Sequence, residues 1–256
     1  TQIININGTA SALAVGSATP SSIDLGRFHV GVGPYPSQNV NVSNLTSGIG
    51  AEQLGIASAA ASGNFAVVNN LGAGLIAGGG TGNNALNVQV SGGVAGVNSG
   101  TLSLQYLTNG TNIDPSFSSQ NANQQNISLQ ATGYNLASGS ATPSPIVIAN
   151  QRVGGTTTQA LTVSNTAPAG SYTEGLNANF GTATGAAQNV GGAIIGLAGG
   201  ASDSSTMGVR LDTSTAGAKT GTVTLNYVSD GTGTSGLGIT ELGSQTVTVS
   251  GNVYRL

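Results

Sequence analysis

The sequence predicts an all-β protein made of two tandem antiparallel β-sandwiches. Three observations support this fold class. A series of short segments occurs twice, apolar and polar residues alternate within those segments, and no stretch of ten or more residues combines helical periodicity with good helix formers. The chain of 256 residues is also long enough for two ordinary domains. We therefore expect two separate hydrophobic cores, one in each copy.

Four groups of residues recur in the same order, at offsets of 121 to 123 residues. They are Ala18-Thr19-Pro20 with Ala141-Thr142-Pro143, Val42-Ser43-Asn44 with Val163-Ser164-Asn165, Glu52 and Leu54 with Glu174 and Leu176, and Gly100–Tyr106 with Gly221–Tyr227. Chance similarity rarely keeps so many anchors in register, so we infer a duplication. The predicted units are 18–137 and 138–256, and residues 1–17 are predicted to hold a surplus strand and a linker. The Ala-Thr-Pro segments are interpreted as linkers.

Each copy contains a strand with a period of two. The apolar positions are Leu102, Leu104 and Tyr106 in the first copy and Val223, Leu225 and Tyr227 in the second. Such alternation is typical of a strand with one face turned to a core. Asn109-Gly110 and Asp230-Gly231 follow these strands, and residues of these types favour turns with positive φ. The sequence therefore predicts a hairpin at this place in each sandwich.

The N-terminal segment Gln2-Ile3-Ile4-Asn5-Ile6 has the character of a strand that neither copy needs. It is similar to Gln125–Leu129 and Gln245–Val249, the last strands of the two copies. An unpaired apolar strand invites pairing. Three explanations are open: the chain is a piece of a longer array, the strand folds back onto the first unit, or it pairs with a neighbouring molecule. In the third case the predicted assembly residues are Gln2, Ile3, Ile4 and Ile6.

Composition excludes several classes of partner. Charged residues make up 5% of the chain, with five Lys and Arg in all, so no basic stripe is available for nucleic acid or for an anionic membrane surface. No run approaches the roughly 18 apolar residues of a membrane span, and cysteine is absent. The chain begins at Thr1 without a Met, so we expect that a signal peptide has been removed or that the chain is part of a longer protein. We expect a protein that is secreted or held at a cell surface.

No motif predicts an enzyme, a cofactor or a metal site. The string Gly72–Ala77 matches a dinucleotide-binding pattern, but no helix is predicted after it. His29, the single histidine, has Arg152 as its counterpart, which favours an exposed strand end over a catalytic base. Glu52 and Glu174 occupy the same place in different copies, so they are not a pair of catalytic carboxylates. The one metal alternative is a calcium site at Asp203 and Asp230, at one end of the second copy.

The repeat is similar to that of a known family. The segments that carry the resemblance are the Ala-Thr-Pro motif, the Val-Ser-Asn strand, Leu197–Gly200, Gly221–Leu225, Ser229–Gly238 and the closing strand Gln245–Gly251. In this order they resemble the bacterial choice-of-anchor D repeats, which are relatives of the immunoglobulin-like domains of the ASPM and Hydin class. The resemblance covers 142–256 well and 19–136 less closely, since the first copy has a longer stretch at 109–123. It implies immunoglobulin-like sandwiches in exported bacterial surface proteins, without catalytic residues.

Two functions fit these observations. The first is an exported structural repeat protein that forms a stalk, fibre or surface layer, with copies of itself as partners and the N-terminal strand as the assembly element. The second is an adhesin or ligand-binding module that recognises a glycan or a host or matrix protein through loops at one end of a sandwich. The stretch 109–123, rich in Asn and Gln, is the candidate loop for that role. Neither function requires a cofactor.

Overall fold

The computed structural model describes residues 2–6, 8, 10–70 and 74–255. The chain divides into two compact units, Thr1–Gly133 and Tyr134–Leu256, and this division falls four residues before the predicted boundary between 137 and 138. All regular secondary structure of the described residues is β-strand. None of them forms a helix that is long and apolar enough to cross a membrane. The predicted all-β fold class is confirmed.

The first unit is a sandwich of two four-stranded sheets. Its strands are β1 (Gly16–Thr19), β2 (Ser22–His29), β3 (Ser37–Asn44), β4 (Gln53–Ala61), β5 (Phe65–Asn70), β6 (Thr81–Val90), β7 (Gly96–Asn109) and β8 (Gln120–Tyr134). One sheet has the order β1-β3-β6-β5 and the other β2-β8-β7-β4. Lettered along the chain, with β1 as A and β2 as A′, these orders read A-B-E-D and A′-G-F-C. Apart from the added strand A′, these are the two sheets of an immunoglobulin constant-type domain.

The second unit repeats this arrangement with more interruptions. Its strands are β9 (Gly139–Thr142), β10 (Ile146–Val147), β11 (Gln151–Arg152), β12 (Thr158–Ala160), β13 (Thr162–Asn165), β14 (Gly175–Gly185), β15 (Ala187–Gly191), β16 (Ile194–Leu197), β17 (Ser202–Asp203), β18 (Met207–Leu211), β19 (Gly217–Asp230) and β20 (Ile239–Tyr254). One sheet has the order β10-β20-β19-β14-β16, with β11 also on β20, and β17-β13-β9 and β12-β18-β15 face it. Strand A is β9, F is β19 and G is β20. The prediction of two tandem immunoglobulin-like sandwiches is confirmed.

Each unit has its own hydrophobic core between its sheets. The inward residues of the two F strands are Leu102, Leu104, Tyr106, Val223, Leu225 and Tyr227, all at most 4% exposed. The alternation in the sequence therefore predicted the buried face correctly. Burial of each such side chain stabilises its unit by about 1.5–3 kcal/mol.

The linker interpretation of the two Ala-Thr-Pro segments is wrong. Each lies at the end of an A strand, β1 or β9, which pairs antiparallel with strand B. Ala18 and Ala141 are buried in their units, at 3% and 1% exposure. The glycines in these strands are required by packing. A Cβ at Gly16 would overlap the ring of Tyr106, and one at Gly139 would overlap the ring of Tyr227.

The turns after the F strands also differ from the prediction. Neither Gly110 nor Gly231 adopts a positive φ. The turns are formed instead by the preceding side chains, because Asn109 Oδ1 accepts a hydrogen bond from the Thr111 N–H and Asp230 Oδ1 accepts one from the Thr232 N–H, both at 3.0 Å. The glycines are needed for space, since a Cβ at Gly110 would come within 2.9 Å of the buried carboxylate of Glu52.

Candidate assembly site

The N-terminal segment, residues 2–6, belongs to no strand in the described structure. Ile3, Ile4 and Ile6 are 83%, 76% and 90% exposed. A strand needs a neighbour for its N–H and C=O groups, and within the part of the chain that the structure describes residues 2–6 are not paired with another strand. The predicted extra strand is therefore not formed here, and it does not fold back onto the first unit. The assembly role of Gln2, Ile3, Ile4 and Ile6 stays a prediction.

The G strands β8 and β20 contain segments similar to residues 2–6, and they show how such a segment packs within a sandwich. β8 pairs antiparallel with the F strand β7, and β20 pairs antiparallel with β19 and parallel with β10 and β11. Ile127 and Leu129 on β8, and Val247 and Val249 on β20, are at most 2% exposed. The intervening residues of both strands face solvent. Each G strand thus places at least two alternating residues in the core.

A glutamine at the start of this pattern ties each G strand to the A strand. Gln125 Oε1 accepts a hydrogen bond from the Ala18 N–H (2.7 Å), and Gln125 Nε2 donates to the Ala18 carbonyl (3.0 Å). Gln245 makes the same pair of bonds with Ala141, both at 2.8 Å. The amide side chain therefore binds the main chain of A as a neighbouring strand would.

A tyrosine of strand F binds the same glutamine, and we call the arrangement the glutamine clamp. The hydroxyl of Tyr106 donates to Gln125 Oε1, and that of Tyr227 donates to Gln245 Oε1, both at 2.9 Å. Burial raises the pKa of each tyrosine to about 12. The clamp thus consists of a Gly-x-Ala segment on A, a tyrosine on F and a glutamine on G.

Spectrophotometric titration is expected to show two of the six tyrosines ionising near pH 12. Because the folded-state pKa is raised, the contribution of these tyrosines to stability is complete below about pH 10, the value for an unfolded chain, and is lost as the pH rises to about 12. Tyr106→Phe and Tyr227→Phe should each remove one group from the late phase. Ionisation of both residues near pH 10 in the folded protein would contradict the burial of the clamp.

Two buried asparagines lie at the ends of the B strands β3 and β13. Asn165, 1% exposed, donates to the carbonyls of Glu174 (3.2 Å) and Leu197 (3.0 Å). Its Oδ1 accepts from the N–H groups of Ser138 (3.0 Å) and Ala167 (3.2 Å). Its counterpart Asn44 likewise donates to two carbonyls and accepts from one N–H. The asparagine side chain of each Val-Ser-Asn motif therefore connects separate segments of its unit.

A buried carboxylate lies just before each C strand. Glu52 Oε2 accepts from the hydroxyl of Thr108 (2.6 Å), which in turn accepts from the Ala14 N–H (2.8 Å). Glu174 Oε2 accepts from Ser229 (2.7 Å), and Glu174 Oε1 accepts from Ser235. The roles of these glutamates and of the asparagines were missed from the sequence, although their recurrence at a fixed offset was visible and is the signal that could have identified them.

The other residues that the sequence singled out lie apart from the glutamine clamp and from the buried asparagines and glutamates. His29 is half-buried at the end of β2, and Arg152 is exposed at the end of β11. Asp203 accepts from the N–H groups of Thr206 and Ser205, which lowers its pKa. Asp230 is bound to Thr232 in the same manner, and its pKa is also lowered. Among the residues that the structure describes, no three or more His, Asp and Glu gather as ligands for a metal ion.

The loop between F and G of the first unit is shorter than predicted. β8 begins at Gln120, so the loop is 110–119 rather than 109–123, and it has ten residues against eight at 231–238 in the second unit. Its side chains are largely exposed, including Phe117 at 36%. Asp114 accepts hydrogen bonds from the hydroxyl and N–H of Ser116, and the pKa of its carboxyl is lowered as a result.

The glycine string at 72–77 lies partly outside the described residues, which exclude 71–73. Its later part forms an antiparallel bridge instead of starting a helix. Ile76 and Leu54 exchange two main-chain hydrogen bonds, of 2.7 and 2.8 Å. This bridge places the end of the string beside strand C.

No protein-family model and no curated protein matches the sequence. Solved structures with remote similarity include mouse Cadherin-23 EC22-24, with 12% identity and a TM-score of 0.42 over 94% of this chain and 67% of that one. Mouse clustered PcdhgC3 EC1-3 has 12% identity and a TM-score of 0.40 over 94% and 68%. The Salmonella enterica SafA pilin in complex with the SafB chaperone has 12% identity and a TM-score of 0.33 over 93% and 97%. Similarity at this level assigns no function, and the choice-of-anchor D resemblance stays a prediction.

Proposed function

We propose that this chain is a non-enzymatic structural repeat protein of the bacterial cell exterior, of the choice-of-anchor D type. Its immunoglobulin-like units join further units of the same kind through the N-terminal segment. The observation that carries the proposal is the contrast between that segment and the units. Ile4 and Ile6 are exposed, while their counterparts are buried: Ile127 and Leu129 on β8, and Val247 and Val249 on β20.

The A strands of the units are protected against pairing with other molecules. β1 and β9 are outer strands of their sheets, and outer strands present free N–H and C=O groups. In the first unit the amides of Asn123 and Gln125 bind the main chain of Gly16 and Ala18. Gln245 does the same for Ala141. The glutamine clamp therefore occupies main-chain groups at the outer edge of each A strand, so a further strand is not expected to pair there.

Low charge supports a role in close association. With 5% charged residues, little Coulomb repulsion separates two copies, and little attraction between them is available for salt to screen. Association driven by the exposed isoleucines is therefore expected to persist at high ionic strength, since apolar burial does not weaken as salt is added.

Deletion of residues 1–10 is expected to convert associated protein into soluble monomers with both units folded. The deletion removes the exposed apolar segment and leaves every strand from β1 to β20 in place. Electron microscopy and analytical ultracentrifugation measure the association, and circular dichroism checks the fold. The matched control is Ile195→Asp, which changes an isoleucine on β16 that is 73% exposed. Assemblies that survive the deletion, or that are lost in the control instead, would refute the proposed role of the segment.

A ligand-binding role is the second candidate, and the exposed loop 110–119 favours it. Asn112 donates to the carbonyl of Ala51 at 3.3 Å, so the loop is held to the unit while most of its side chains face solvent. Replacement of this loop by a copy of 231–238 keeps the sandwich and removes the candidate site. A glycan array that gives selective binding with the unchanged chain and none with this variant would support an adhesin.

A further inference from the structure

We infer that the N-terminal segment is a G strand in a defined register, and that its partner is a sandwich of this same repeat that presents strands A to F with the G position vacant. The inference rests on the proposed function and specifies the position that the segment occupies. It concerns Gln2–Gly8 together with a partner unit, and it does not involve the outer edges of intact sheets.

The register follows from three aligned segments. They are Gln2–Ser11, Gln125–Tyr134 and Gln245–Tyr254, which read QIININGTAS, QNISLQATGY and QTVTVSGNVY. The first position is Gln in all three, and the third and fifth are Ile, Val or Leu. In β8 and β20 the first position forms the glutamine clamp, and the third and fifth lie in the core. Gln2, Ile4 and Ile6 therefore match both the residue types and the order that the G position requires.

The seventh position adds an independent match. It is Gly8 in the N-terminal segment, Ala131 in β8 and Gly251 in β20. Ala131 is fully buried, and a Cβ at Gly251 would come within 2.7 Å of the Ile148 carbonyl oxygen. In the second unit a side chain at this position would collide with the main chain just after β10, so a small residue is a structural requirement there. The N-terminal segment satisfies it.

The acceptor can be described by its chemistry. It must offer a Gly-x-Ala segment on A, whose alanine receives both bonds of the glutamine amide, and a tyrosine on F, whose hydroxyl donates to the same amide. It must also offer two free core positions beside F. Both units of this chain have these features, but β8 and β20 fill their G positions. The acceptor is therefore a unit of the same repeat whose G position is vacant, and two full-length copies associate in this way only where one of them has released its own G strand.

A chimera tests the register within one chain. Gln245–Tyr254 is replaced by a copy of Gln2–Ser11, and the second unit is expected to fold with the late tyrosine ionisation near pH 12 retained. The matched control inserts a copy of Thr1–Ala10, which shifts the same sequence by one residue, so that Ile4 and Ile6 face outward and Asn5 takes the core position of Val249. That control is expected to leave the second unit unfolded. An in-register chimera that fails to fold, or a shifted one that folds equally well, overturns the inference.

A truncated chain tests the partner. A chain of residues 1–238 lacks β20, so its second unit has a vacant G position for the N-terminal segment of another molecule. It is expected to link head to tail at a concentration about 100-fold lower than any association of the full chain. Ile4→Asp with Ile6→Asp should abolish this linkage, whereas Asn5→Asp, at an outward position, should preserve it.

The outcomes separate this inference from the proposed function. A truncated chain that captures a peptide of sequence 245–254 but not one of sequence 2–11 overturns the inference. If the truncated unit loses its fold, the chimera still decides the register. Should the full chain associate through residues 1–10 while the in-register chimera fails, the proposed function stands and the G position is wrong. If instead the in-register chimera folds while the full chain does not associate through residues 1–10, the G position is supported and the proposed function is wrong.

Discussion

Asn165→Ala is expected to destabilise the second unit by about 4 kcal/mol, since four main-chain groups lose their partner and each buried hydrogen bond contributes about 1 kcal/mol or more. The side chain is 1% exposed, so water does not replace the lost bonds without opening the unit. For a unit of this size the midpoint of thermal unfolding should fall by roughly 15 °C. Calorimetry measures the loss, and hydrogen exchange read by mass spectrometry assigns it to the second unit.

Two further variants make this prediction specific. Asn252→Ala removes an exposed asparagine from β20 and is expected to change stability by less than about 0.5 kcal/mol. Asn44→Ala should destabilise the first unit by a smaller amount than Asn165→Ala does the second, because Asn44 makes three of these bonds and not four. A loss for Asn165→Ala no larger than that of the Asn252 control would show that the asparagine does not connect its segments in solution.

The sequence predicted those features that depend on neighbouring residues or on repetition. The inward positions of the F strands follow from a period of two, and Leu104 and Leu225 are buried as that period requires. The duplication was visible because equivalent segments keep a fixed offset. These signals are present along the chain itself, so they need no knowledge of which strands meet.

Features that depend on contacts distant in the chain could not be predicted. Gly16 and Ala18 lie in segments that were interpreted as linkers, because the reason for their small size, the Tyr106 ring and the Gln125 amide, lies far along the sequence. Asn44 and Asn165 were recognised as part of a recurring motif, but a motif of three residues does not show what its side chain binds. The N-terminal segment has the sequence of a strand, yet a strand forms only beside a partner, and composition cannot supply one.

Glu174→Ala is expected to destabilise the second unit by about 3–5 kcal/mol, because it creates a cavity and leaves buried hydroxyls without their acceptor. Glu174, Ser229 and Ser235 are all fully buried. Ser229 also accepts from the Ala137 N–H at 2.8 Å, so the carboxylate fixes the entry to strand A as well as the turn after strand F. Chemical denaturation measures the change in the free energy of unfolding.

A glycine beside this carboxylate allows the arrangement to be tested without removing it. A Cβ at Gly231 would overlap both the Glu174 carboxylate and the Ser235 hydroxyl, so Gly231→Ala is expected to cost about 1–3 kcal/mol. Gly233, in the same turn, has no atom within 4 Å of an added Cβ, and Gly233→Ala should be neutral or stabilising by about 0.5 kcal/mol.

The double variant Glu174→Ala with Gly231→Ala then measures whether carboxylate and glycine depend on each other. Removing the carboxylate also removes one of the two overlaps, so the combined cost should fall short of the sum of the single costs by about 0.5 kcal/mol or more. Strict additivity, or a Gly231→Ala cost no larger than that of Gly233→Ala, would mean that the carboxylate does not lie against this turn. In that case the recurrence of Glu52 and Gly110 in the first unit would need a different physical reason.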